Sequence, residues 1–146
     1  MRVSTTYLFV VLAISTLTAC HQTEEVIPAP APVDKTVVFE VFGNQDFSYS
    51  RYGEEEVTIQ LLISRNDKDA PSGMGTEVLD STFTMPLQDL PVRANRLIIK
   101  KVVPGVLGEK EPVFIRSGYH YRQTAFGRNQ TFSPGQMENT VQLTVY

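Results

Sequence analysis

Val57-Thr58-Ile59-Gln60-Leu61-Leu62-Ile63-Ser64 puts Val57, Ile59, Leu61 and Ile63 on one parity and Thr58, Gln60 and Ser64 on the other. Successive side chains of an extended chain point to opposite faces, so this alternation builds a strand with one face in a core. The row is the clearest in the chain, and it predicts a central strand. On its N-terminal side, Val37, Phe39 and Val41 alternate with Val38, Glu40 and Phe42 before a Gly43-Asn44 turn. Phe47 to Tyr52 is a further strand candidate, closed by Gly53 and the acidic run Glu54-Glu55-Glu56. On the C-terminal side, Leu79, Phe83 and Met85 form a row broken by Ser81. Leu97 to Val103 is apolar on both parities, the pattern of a strand covered on two sides. Val113 to Gln123 and Thr140 to Tyr146 complete the set. The intervening stretches, 66–75, 86–91, 104–112 and 127–135, are rich in the Gly, Pro, Asn and Asp that end strands. About seven short strands at this spacing, with no helical period, predict an all-β fold: a single antiparallel β-sandwich of two sheets.

The folded part is expected over residues 36–146, which is enough for one domain with a core that needs no metal or disulfide staple. Apolar residues make up 42% of the 146-residue chain, the range of an ordinary globular protein. The formal net charge of −3 gives no bulk field for nucleic acid, so no nucleic-acid partner is expected. Cys20 is the single cysteine, so an intramolecular disulfide and cysteine-based zinc or redox pairs are excluded.

That cysteine follows a distinctive leader. Arg2 precedes the apolar stretch Leu8 to Ile14, and Ser15-Thr16-Leu17-Thr18-Ala19-Cys20 follows it, in the order of n-region, h-region and cleavage region. The apolar stretch is too short for the roughly 20 residues a membrane-spanning helix needs. The residues Leu17-Thr18-Ala19-Cys20 resemble the lipobox of bacterial lipoproteins. The resemblance implies removal of residues 1–19, a diacylglycerol thioether on Cys20 and an acyl chain on its freed amine. One fatty chain anchors only marginally, whereas two or three hold durably, at about 0.8 kcal/mol per buried CH₂. An ordinary secretory peptide that leaves Cys20 as a free thiol, or paired with another chain, is the alternative; cleavage after Ala19 would put Leu17 at its −3 position, where a small residue is wanted.

Residues 20–35 then read as a tether. Pro28-Ala29-Pro30-Ala31-Pro32 favours extended polyproline II, a semi-rigid spacer rising about 3.1 Å per residue. Glu24 and Glu25, close behind the cysteine, resemble the acidic export signal of surface lipoproteins in the Bacteroidota. The expected location is the cell envelope, at the outer membrane, facing either the periplasm or the surface.

Within the domain, Phe83-Thr84-Met85-Pro86-Leu87-Gln88-Asp89-Leu90-Pro91, followed by Leu97-Ile98-Ile99, resembles the strand, Leu-Pro turn and returning strand of transthyretin-like and immunoglobulin-like domains. Those families place Gly and an aromatic after the Leu-Pro, where this chain has Val92-Arg93-Ala94-Asn95-Arg96. The resemblance implies a sandwich and no particular ligand.

Chemistry is sparsely signalled. His120 is the lone domain histidine and lacks a second ligand or orienting carboxylate in its neighbourhood of sequence. Asp67 and Asp69 could open a calcium loop, but the EF-hand pattern would meet Pro71 at its fifth position and has no Gly at its sixth. Phosphate-cradling glycine loops, zinc spacings and a serine elbow are absent, so no cofactor, metal or enzymatic activity is expected. Charge is distributed unevenly: residues 36–92 hold three Lys/Arg against ten Asp/Glu, and residues 93–128 hold eight against two. Arg93, Arg96, Lys100, Arg116, Arg122 and Arg128, with Tyr119 and Tyr121 between them, form a candidate ligand patch for a polyanionic glycan, lipid headgroups or an acidic envelope protein. The competing reading pairs these basic strands with acidic ones inside the sandwich. The leading expectation is a non-catalytic binding or structural accessory on a membrane anchor. A fimbrial or adhesive subunit that exchanges its last strand, Val141 to Tyr146, is the alternative.

Overall fold

The structure, a computed structural model, describes residues 31–66 and 75–146. Leu17, Thr18, Ala19 and Cys20 lie outside these described residues, as do Asp67 and Asp69. Seven strands run in chain order: β1 Val33–Gly43, β2 Glu56–Arg65, β3 Thr76–Pro86, β4 Leu97–Val106, β5 Val113–Tyr121, β6 Thr124–Thr131 and β7 Glu138–Val145. They form a three-stranded sheet in the order β4-β1-β7 and a four-stranded sheet in the order β3-β2-β5-β6. The fold is therefore the all-β sandwich of two sheets that the alternating rows predict.

The core sits between the sheets. Val57, Ile59, Leu61 and Ile63 of β2 are fully buried, facing Val37, Phe39 and Val41 of β1 and Val141, Leu143 and Val145 of β7. Each such side chain contributes about 1.5–3 kcal/mol by leaving water. β2 is an interior strand, paired antiparallel with β3 on one side and β5 on the other, as its row predicts. β1 is interior to the other sheet, and it begins at Val33, inside the stretch assigned to the tether. One pairing departs from a purely antiparallel arrangement: β1 and β7 run parallel, from Thr36↔Glu138 to Gly43↔Val145. Alternation fixes which face a residue takes but not the direction of its neighbour. An immunoglobulin constant domain puts its first strand in the four-stranded sheet; here β1 lies at the centre of the three-stranded one.

Three local expectations are corrected. Phe47 to Tyr52 forms turns instead of a strand. The Asp46 carboxylate accepts the Ser48 N–H at 2.9 Å and the Ser50 hydroxyl accepts the Tyr52 N–H at 3.2 Å, local bonds that compete with a ladder. Leu97 to Val103 belongs to an edge strand covered on one face only, with Ile98 and Val102 about half exposed on the other. Residues 124–131, expected to be largely loop from Gly127 on, form β6. The close approach of β5 to β6 depends on glycine: a Cβ on Gly118 would lie 2.5 Å from the Phe126 carbonyl oxygen.

The registers also define two ends. Val33 pairs with Val106, and Arg65 with Thr76 and Val113, at the end where the chain enters from residues 20–32. Gly43 pairs with Val145, and Val57 with Tyr121 and Met85, towards the opposite end. That far end carries the β1–β2, β3–β4 and β5–β6 connections.

Candidate functional site

The basic and aromatic residues of the expected patch divide between the two sheets. Arg93 lies in a 3₁₀ turn, Arg93–Asn95, with its guanidinium 5.7 Å from the ring of Phe42. Arg96 follows that turn and bonds Glu40 on β1 at 2.8 Å, and Lys100 on β4 lies 3.6 Å from Glu138 on β7. These three residues belong to the three-stranded side. Arg116, Tyr119 and Tyr121 are on β5, Arg122 is in the β5–β6 turn, and Arg128 is on β6, all on the four-stranded side. Tyr119 is buried and stacks on Phe126 with ring centroids 5.6 Å apart. Arg116 faces outward on the same side as Phe114 and His120, and with Leu62, Phe114 and Asn129 it lines a shallow depression of about 410 Å³.

The charge imbalance along the chain is met in part by pairing across the halves. Glu40 with Arg96 and Glu55 with Arg122 join an acid of the first half to a base of the second, and Arg65 with Glu111 joins the halves with the signs reversed. Arg65 is the most enclosed of these joints. It donates to the Pro104 carbonyl at 2.8 Å and to Glu111 at 2.9 Å, and Glu111 in turn accepts the Leu107 N–H at 3.0 Å. The Arg65 bond, with that of Leu107, holds the Glu111 carboxyl below its ordinary value against the opposing effect of burial.

The densest polar cluster lies at the far end. Tyr121 donates its hydroxyl to Glu55 at 2.9 Å, and the Arg122 guanidinium also bonds Glu55. The same guanidinium lies 4.2 Å from the ring centroid of Tyr52 and 5.2 Å from that of Tyr121, and Arg51 lies 4.5 Å from the Tyr52 ring. Arg122 takes a φ of 53° at the first position of a two-residue hairpin turn, a position that usually goes to glycine. The pairing with Glu55 and the two tyrosine rings hold it there. Arg122 lowers the Glu55 carboxyl below its usual value, and burial together with Glu55 raises the Tyr121 hydroxyl above its own. Neither shift brings its group towards neutral pH.

Tyr121 and Arg122 are thus brought together, while Arg93, Arg96 and Lys100 stand on other elements. Glu55, Tyr52 and Arg51 join the cluster without any sequence signal, because Glu55 is 66 residues from Tyr121 and reads locally as part of an acidic turn. Among the described residues no group of three or more His, Cys, Asp or Glu side chains is arranged to hold a metal ion. None of the described helices is long and apolar enough to cross a membrane. No family model, curated protein or solved structure matches the chain.

Proposed function

We propose that the chain is a bacterial envelope lipoprotein, acylated on Cys20 and held at the outer membrane, whose β-sandwich is a non-catalytic binding or structural accessory module. The observation that carries this reading is Leu17-Thr18-Ala19-Cys20 placed directly after an apolar h-region, with a Pro/Ala spacer behind it. The strand arrangement supports it, because β1 starts at Val33 at one end of the sandwich and the Tyr52, Glu55, Tyr121 and Arg122 cluster lies at the other. A module hung by its N-terminus presents that cluster away from the lipid, to another envelope protein or a glycan. The test is Cys20→Ser in a bacterial host fed labelled palmitate. The expected result is loss of label, retention of the leader and loss from the outer-membrane fraction; a variant that matures and sediments unchanged refutes the reading.

The second reading, a fimbrial or adhesive subunit, is favoured by one observation. Among the described residues β7 is an edge strand with a single hydrogen-bonded partner, so exchange breaks one ladder, β1–β7, and leaves a slot in the core at Val141, Leu143 and Val145 that an incoming strand would refill. It expects an SDS-resistant ladder of bands that vanishes when residues 141–146 are deleted, and heat-stable monomers alone count against it.

A further inference from the structure

We propose that β6 is a self-pairing edge, through which two copies of the chain join their four-stranded sheets about a twofold axis at Gly127. An open edge invites a further strand, and proteins blunt such edges with Lys, Pro, inward charge or bulges. The edges β4 and β3 are each managed in that way several times over, and β7 and β6 carry one charge each. β4 carries Lys100, Lys101 and Pro104; β3 carries Glu77, Asp80, a register shift near its start and Pro86; β7 opens with Glu138 and buries its inner face. β6, Thr-Ala-Phe-Gly-Arg-Asn-Gln-Thr, carries a single charge, Arg128, with no Pro and no register shift along its eight residues. Among the described residues it pairs only with β5.

The other edge of β6 is self-complementary. The two-residue turn closes on Tyr121 and Thr124, and such a turn closes on a hydrogen-bonded pair. The alternation from there directs the backbone groups of Thr124, Phe126, Arg128 and Gln130 towards β5, and those of Ala125, Gly127 and Asn129 away from it. A second antiparallel β6 must match like with like, so its twofold axis falls opposite a residue, and only axes at residues 126 to 129 overlap five residues or more. An axis at Arg128 sets two guanidinium groups against each other, which like charge disfavours. An axis at Phe126 leaves only residues 124–128 overlapped, and one at Asn129 only residues 127–131. An axis at Gly127 overlaps residues 124–130 and places Ala125 and Asn129 in bonded register. It also sets Phe126 of each copy beside Arg128 of the other, twice, as a cation–π pair across the strands. Phe126 is 46% exposed, available to a neighbouring guanidinium, and a Cβ on Gly127 meets nothing within 4 Å, so the axis is unobstructed.

This inference does not rest on the acylation of Cys20, and its test is kept separate from it. The full-length protein in density-matched detergent micelles, under reducing conditions that exclude a Cys20 cross-link, is expected to sediment with the mass of two chains. Gly127→Pro removes an edge N–H without touching the β5 ladder, and Phe126→Arg sets arginine against arginine; both are expected to sediment as single chains with an unchanged β-sheet spectrum. The double exchange Phe126→Arg with Arg128→Phe restores the cross-strand pairs and is expected to restore the double mass. A wild-type protein that stays a single chain at 100-fold dilution and at its highest soluble concentration alike overturns the proposal. So does a two-chain mass that survives both Gly127→Pro and Phe126→Arg, which would place the contact on another surface.

Discussion

β2 and β6 are strands of the same sheet, two positions apart, and they owe their extended form to different causes. β2 has a partner on each side and an inner row with no exposure at all, so its residues are extended because a core pulls every second side chain out of water. β6 has one partner, no buried residue, and a single aromatic contact to Tyr119. Its extended form is imposed by the hairpin with β5, through ladder bonds and the close approach at Gly118. Burial writes itself into a sequence as alternation; pairing alone does not.

The contrast can be broken most strongly on the β2 side. Leu61→Ala is expected to cost about 2–5 kcal/mol of unfolding free energy, read from urea denaturation, because the cavity opens between fully covered neighbours. A loss as small as a surface change would mean that β2 does not carry the core. Acid should weaken the joint between β2 and the β4–β5 connection next. The Glu111 carboxyl is held below its ordinary value of 4.5 in the folded state, so its contribution is complete above about pH 4.5 and is lost as pH falls through the folded value. Urea midpoints measured from pH 7 down to pH 3 should decline more steeply in the natural protein than in Glu111→Gln.

Smaller changes sharpen the comparison. Ser117 lies inward on β5 opposite Leu61, fully enclosed, and its hydroxyl finds no partner among the described residues. Ser117→Ala is expected to raise stability by about 1 kcal/mol, since an unpaired buried hydroxyl costs about 1–3 kcal/mol in desolvation. Phe126→Ala on β6 should cost about 0.5–1.5 kcal/mol through its stack on Tyr119, measured at a dilution at which single chains prevail. Arg128→Ala in the same strand should stay within about 0.5 kcal/mol, as expected for an exposed side chain without a described ion pair.

The same physical division explains what could be read from the residues alone. The inner rows of β1, β2 and β7, and the row of β3 through Leu79, Phe83 and Met85, follow from alternation and lie where it puts them. Phe47 to Tyr52 misleads because its aromatic composition suits a strand, while Asp46 and Ser50 supply side-chain bonds that turn the backbone. Leu97 to Val103 misleads because Ile98 and Val102 are apolar yet face outward, and a one-way rule for apolar residues does not forbid that. The expected patch reads as one basic run along the chain, but Arg96 and Arg122 are drawn to Glu40 and Glu55, partners 56 and 67 residues earlier in sequence. Pairing at that range is set by strand order, which local composition does not encode.

The parallel run of β1 beside β7 has a mechanical consequence. A pull between Val33, at one end of β1, and Val145, at the opposite end of β7, acts along both strands in opposing directions. It tries to slide them past one another, stretching the whole ladder from Thr36 to Gly43 together, where an antiparallel pair pulled from one end would peel open a bond at a time. The domain is thereby braced against a pull applied between those two strand ends.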